Sequence, residues 1–141
     1  YNIKAKRIKE VSKKVLEKFK GDIASVLALP KEEAKRKLME LPGIGNKTAD
    51  VLLTGPHSYR KVLPIDTHFD RLAKRLGLVK QTANYETIQN AFMDFLPEEI
   101  RERASGLLWI LAKKTCRAQN PKCGECPLAQ ICAYANKPAK K

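Results

Sequence analysis

Leu41-Pro42-Gly43-Ile44-Gly45-Asn46-Lys47-Thr48 separates two short amphipathic stretches, and its reading decides the fold. Two glycines around one apolar residue permit positive φ and let a large partner approach the backbone closely. A helix starting at Asn46 opens with unpaired amide N–H groups and the positive end of its dipole. Together these features read as a phosphate-binding hairpin that grips a nucleic-acid backbone without reading its sequence. An ordinary tight turn between helices is the alternative, although it needs one glycine rather than two. Gly43, Ile44, Gly45, Lys47 and Thr48 are the candidate DNA contacts.

Outward from the hairpin, the chain reads as helices only. Ile8, Val11, Val15 and Phe19 step by three or four residues, which predicts an amphipathic helix from about Asn2 that Gly21 stops. Asp22 caps a short turn through Leu27, and Pro30 with Glu32 and Glu33 opens a helix whose apolar face is Ala34, Leu38 and Leu41. The helix after the hairpin runs from about Asn46 to Thr54, where Gly55-Pro56 ends it. Asp66 or Thr67 can cap the next, with the stripe Phe69, Leu72, Ala73 and Leu76 and Gly77 at its C-terminus. A further helix carries Tyr85, Ile88, Phe92 and Phe95. Pro97-Glu98-Glu99 starts a last one through Ala104, Leu107, Leu108 and Leu111. The expected division is a helical region over 1–65 and a second over 66–141.

All four cysteines of the chain fall near its C-terminus, as Cys116-RAQNPK-Cys123-GE-Cys126-PLAQI-Cys132. The Cys-Gly-Glu-Cys knuckle lets two thiolates face one ion or cluster. A disulfide framework fits poorly, since such scaffolds are usually shorter and spread their cysteines along the chain. Four thiolates suit tetrahedral zinc and an iron–sulfur cluster alike. Spacing leaves both open, although one knuckle with long arms accommodates a bulkier group.

The 141 residues carry 28 Lys+Arg against 15 Asp+Glu, a formal charge of +13 that calls for a polyanionic partner, by default nucleic acid. The longest apolar stretches, such as Leu107 to Ala112, are far too short to span a bilayer. An intracellular, cytoplasmic setting and a monomer are expected. The chain begins with Tyr1 rather than Met, which suggests a piece of a longer protein.

Lys47 falls in the first turn of the post-hairpin helix, where the dipole disfavours an ammonium ion. A neutral lysine amine is a nucleophile able to form a Schiff base with an aldehyde-like sugar carbon. By itself, Lys47 reads more simply as a phosphate-contacting surface lysine, Asp66 as a helix N-cap, and His68 as a packed or capping residue.

LPGIGNKTAD (41–50), PIDTHFDRLAKRLGL (64–78) and the four-cysteine run, in that order and at those separations, resemble the endonuclease III family of helix-hairpin-helix DNA glycosylases. The resemblance covers essentially the whole chain. It implies an all-α fold, part of a helical barrel with a C-terminal iron–sulfur loop, and upstream helices beyond this sequence. It implies a [4Fe-4S] cluster rather than zinc on Cys116, Cys123, Cys126 and Cys132. Lys47 matches the family's catalytic lysine and Asp66 its catalytic aspartate, which points to a base-excision glycosylase with abasic-site lyase activity on oxidised pyrimidines in double-stranded DNA. Mismatch or uracil glycosylases on the same scaffold, and a non-catalytic DNA-binding module, are the alternatives. Arg117 and Lys122, inside the cysteine loop, are further candidate phosphate contacts. Asn46 stands where the family usually has a basic residue, and Leu111-Ala112 where it has a His-Gly or similar pair.

Overall fold

A computed structural model describes residues 2–54 and 62–137 of the chain. Within them lie seven α-helices and two short 3-10 turns, with no strand among the described residues: α1 (Asn2–Phe19), α2 (Ile23–Leu27), α3 (Lys31–Met39), α4 (Asn46–Thr54), α5 (Thr67–Leu76), α6 (Tyr85–Phe95) and α7 (Glu98–Lys114). The turns are Cys123–Glu125 and Ala129–Ile131. The chain divides into two compact units, Tyr1–Ser58 and Tyr59–Lys141.

The first unit folds around the hairpin. Lys20 and Gly21 both turn to positive φ, which ends α1 and lets Asp22 cap α2 by accepting from the Ser25 amide at 3.0 Å. The core is Val26, Leu38 and Ala49, flanked by Phe19, Ile23, Leu29, Ile44 and Leu53. Ala34, Leu38 and Leu41 of the predicted face are buried. The predicted stripe of α1 is corrected at one position: Val11, Val15 and Phe19 are half-buried, whereas Ile8 is 68 % exposed. Ile3 and Leu16 on the same helix are likewise exposed, so within this unit α1 offers more apolar surface than α2 and α3 can cover. Between α3 and α4, the buried Lys35 and Asp50 form an ion pair with Nζ 3.0 Å from Oδ1. Gly55-Pro56, the expected end of α4, lies outside the described residues, as do the last four residues of the basic tail.

The second unit has its own core, built from Leu63, Ile65, Phe69, Leu72, Ala73, Ile88, Phe92, Leu96 and Ala112. Phe69 and Phe92 meet edge to face at 5.2 Å between centroids, an arrangement favoured by the ring quadrupole. The predicted caps of α5 are both present: Asp66 at its N-terminus and Gly77 in the left-handed region, φ 86°, at its C-terminus. Phe95 of the α6 stripe and Leu107 of α7 are corrected to exposed positions, at 59 % and 60 %. Arg101 is buried: its Nε and Nη2 donate to the Leu96 carbonyl and Nη2 also to Met93 O, closing the C-terminus of α6.

Candidate active site and metal centre

The hairpin departs from its sequence reading in the roles of its two glycines. Gly43 alone takes positive φ, at 78°. The side chain of Arg7 lies across it: a Cβ there would fall 2.7 Å from Arg7 Cδ and 2.9 Å from Nε. Gly45 has ordinary φ, and a Cβ built on it would meet nothing within 4 Å. Packing in this unit therefore does not demand a glycine at 45. What remains is the bare backbone it presents to whatever approaches from outside. Ile44 ties the turn back, its amide donating to Leu41 O at 3.1 Å and its side chain packing on the first core. Lys47 is exposed in the first turn of α4, Thr48 half-buried beside it, and Gly45 O accepts from Ala49 N at 2.9 Å to close the first turn.

Asp66 is held more firmly than a lone cap would require. The segment leading to it, Val62 through Ile65, is buried and outside any regular element. Leu63 O accepts from Gln89 Nε2 at 2.8 Å, and Ile65 N donates to the Tyr85 hydroxyl at 3.1 Å, so α6 pins the strand of chain that delivers Asp66. Oδ1 of Asp66 then accepts from the amides of His68 at 2.8 Å and Phe69 at 2.9 Å. His68 is a packing residue, as expected: its Nδ1 lies 3.1 Å from Arg71 Nη2 and its ring meets Trp109 edge-on.

The four cysteines are all free thiols, which removes the disulfide alternative. They line one cavity, together with Arg75, Thr115, Pro121, Lys122, Ala129, Tyr134 and Ala135. Four sulfur donors around one cavity suit an iron–sulfur cluster, as they also suit zinc. The residues present therefore fit a cluster.

Two residues that the sequence did not single out organise this loop, both from the basic face of α5. Arg71 donates through Nε to Cys116 O at 2.9 Å and through Nη2 to Ala112 O at 2.9 Å. Arg75, one turn on, reaches Arg117 O and Ala118 O. In sequence they look like a solvated face of DRLAKRLGL, since nothing local says that carbonyls forty residues away come to meet them. Of the predicted phosphate contacts in the loop, Arg117 is exposed and donates to Asn120 O at 2.9 Å, while Lys122 is engaged by Glu125 at 3.0 Å, which offsets its charge.

The comparisons agree with this architecture. The family model described as HhH-GPD superfamily base excision DNA repair protein matches residues 1–98, and that for the iron–sulfur binding domain of endonuclease III matches residues 116–132. Endonuclease III of Bacillus subtilis is 31 % identical over the full chain, and that of Thermotoga maritima 34 % over 99 % of it. The chain spans 60 % and 61 % of the length of these two relatives. A solved endonuclease III–DNA covalent intermediate superposes with a TM-score of 0.72 at 27 % identity, covering 94 % of this chain and 58 % of that one. A non-covalent endonuclease III–DNA complex matches with the same score. The cofactor of such a cysteine loop is a [4Fe-4S] cluster. With family match, fold and cysteine cavity in agreement, the chain belongs to the HhH-GPD superfamily of base excision DNA repair proteins and is similar to endonuclease III along its length.

Proposed function

We propose that this chain carries the hairpin, nucleophile and carboxylate of a DNA glycosylase with abasic-site lyase activity, acting on oxidised pyrimidines in duplex DNA. The observation that carries it is the hairpin. Gly45 presents open backbone, and Lys47 stands exposed immediately after it, at the positive end of α4. Backbone amides there hold phosphate oxygens by hydrogen bonds and the helix dipole, with Gly43, Ile44 and Thr48 shaping the contact. A relative trapped covalently on DNA supports a nucleophile of this kind.

A base is reached only after it leaves the stack, which costs least where damage has already weakened pairing. The amine of Lys47 attacks C1′ of the sugar as the N-glycosidic bond breaks and the base departs with the bonding pair. Asp66, fixed through Oδ1, stabilises the positive charge developing on the sugar and takes the proton lost by the attacking amine. The nitrogen lone pair then opens the sugar ring, expelling O4′, which takes up a proton, and leaves a C1′=N Schiff base; this withdraws electrons from C2′, whose proton is removed as the C3′–O3′ bond breaks and the phosphate leaves. Cys116, Cys123, Cys126 and Cys132 are the proposed ligands of the cluster, which when bound supplies a rigid anchor for the loop carrying Arg117.

Borohydride reduction tests this directly, because it converts the Schiff base into a stable amine. The native chain should form a covalent adduct with duplex DNA bearing an abasic site, and Lys47→Gln should form none. An adduct from both proteins would remove Lys47 from its role; none from either, in protein that retains its cluster and binds the duplex, would leave this chain a binding module.

A further inference from the structure

Arg75 touches both ends of the cysteine loop. Its Nη1 donates to Arg117 O at 2.7 Å and lies 3.4 Å from Cys116 Sγ, while Nη2 donates to Ala118 O at 3.1 Å. The guanidinium sits over the Tyr134 ring, 4.7 Å from its centroid. The backbone carbonyl of the same residue accepts the Tyr134 amide at 2.9 Å, two residues past the last cysteine. One residue in the last turn of α5 thus binds the first cysteine through its side chain and the segment just after the last through its main chain, and it lines the cavity that all four share.

We propose that Arg75 is a positioning residue for the cluster, holding the two ends of the cysteine loop at ligating separation and raising the cluster's reduction potential through its N–H···Sγ bond to Cys116. Reduction adds negative charge to a group already bearing four thiolates. A cation donating to one of the sulfurs stabilises the reduced form more than the oxidised one, and hydrogen bonds to sulfur are among the determinants of cluster potential. Lys122, the other cation lining the cavity, is engaged by Glu125, which leaves Arg75 as the cation aimed at a sulfur. The planar fork matters separately from the charge, because two carbonyls and a sulfur are reached at once and a lysine ammonium cannot span them. This inference concerns the cofactor alone and stands whether or not Lys47 is the nucleophile.

The test uses cluster-loaded native protein beside Arg75→Gln, Arg75→Lys and Lys74→Gln. The last removes the same charge from the same helix, at a residue whose ammonium pairs with Asp70 and not with the loop. Two quantities are followed: loss of iron–sulfur absorbance in the presence of an iron chelator, and the cluster's reduction potential by protein-film voltammetry. Arg75→Gln should lose its cluster roughly 10–100-fold faster and shift to a more negative potential. Arg75→Lys should recover part of the potential but not the retention, and Lys74→Gln should match the native protein. Native retention and potential in Arg75→Gln overturn the proposal, and faster loss at an unmoved potential overturns its tuning half. Should Arg75→Gln hold no cluster at all, Arg75→Lys decides alone: native behaviour in both measurements overturns the proposal, and faster loss supports it.

Discussion

Replacing Lys35 with methionine should unfold the hairpin-bearing unit at much lower denaturant. The Lys35 ammonium lies 3.0 Å from Asp50 Oδ1, with the lysine side chain 11 % exposed and the aspartate 0 %. At that separation two unit charges attract by about 5–6 kcal/mol at an effective dielectric of ~20. Desolvation of both groups opposes most of this, so replacing the pair together by apolar residues of similar volume is expected to be neutral or stabilising by about 1–4 kcal/mol. Removing the cation alone leaves a carboxylate in a site with no solvent to screen it, at a cost of about 3–5 kcal/mol. With an m-value of about 1–3 kcal/mol/M in urea, the midpoint should fall by roughly 1–5 M. Urea titrations followed by far-UV circular dichroism would compare the native chain with Lys35→Met, Asp50→Leu and the double variant, while fluorescence of Trp109, the single tryptophan, reports on the other unit. A loss below about 1 kcal/mol in Lys35→Met, or a double variant no more stable than either single one, would refute the account of a desolvated pair clamping α3 to α4.

Two glycine substitutions should separate folding from binding. Gly77→Ala forces an alanine to φ 86° with its Cβ 2.9 Å from Ala133 Cβ, and should cost about 1–2 kcal/mol or more by thermal unfolding. Gly45→Ala meets nothing and has ordinary φ, so stability should hold while duplex affinity falls; a destabilised Gly45→Ala protein would contradict the open backbone described above. At Asp66, alanine removes an oxygen that accepts two amides and should destabilise by about 1 kcal/mol. Asparagine keeps the cap and should stay within a few tenths of a kcal/mol of native, yet cleave abasic-site DNA much more slowly. Equal cleavage by Asp66→Asn and the native chain would reduce Asp66 to a cap.

Local chemistry made much of this protein legible before any coordinates. Hydrophobic periodicity and the cap residues Asp22, Asp66 and Gly77 act within one or two turns, and the observed helices begin and end where these residues dictate. The hairpin and the cysteine spacing are local as well, which is why their order along the chain was enough to suggest the family. The misread positions share one cause. Ile8, Phe95 and Leu107 fit their helical stripes, but periodicity says only which face a residue lies on, not whether an element exists to cover it.

Other properties depend on residues far apart in sequence. Nothing local marks Arg71, Arg75 or Arg101; the fold brings them the carbonyls of Leu96, Ala112 and the loop from Cys116 to Ala118. Asp66 announces itself as a cap in sequence, but the buried approach that steadies it depends on Gln89 and Tyr85 of α6. Sequence by itself determined the elements, their ends and the inventory of reactive groups, because those follow from dihedral preference and short-range hydrogen bonding. Tertiary structure alone decided which polar groups meet, because a hydrogen bond is fixed by distance in space, and a chain folding back on itself sets those distances through packing that no local spacing encodes.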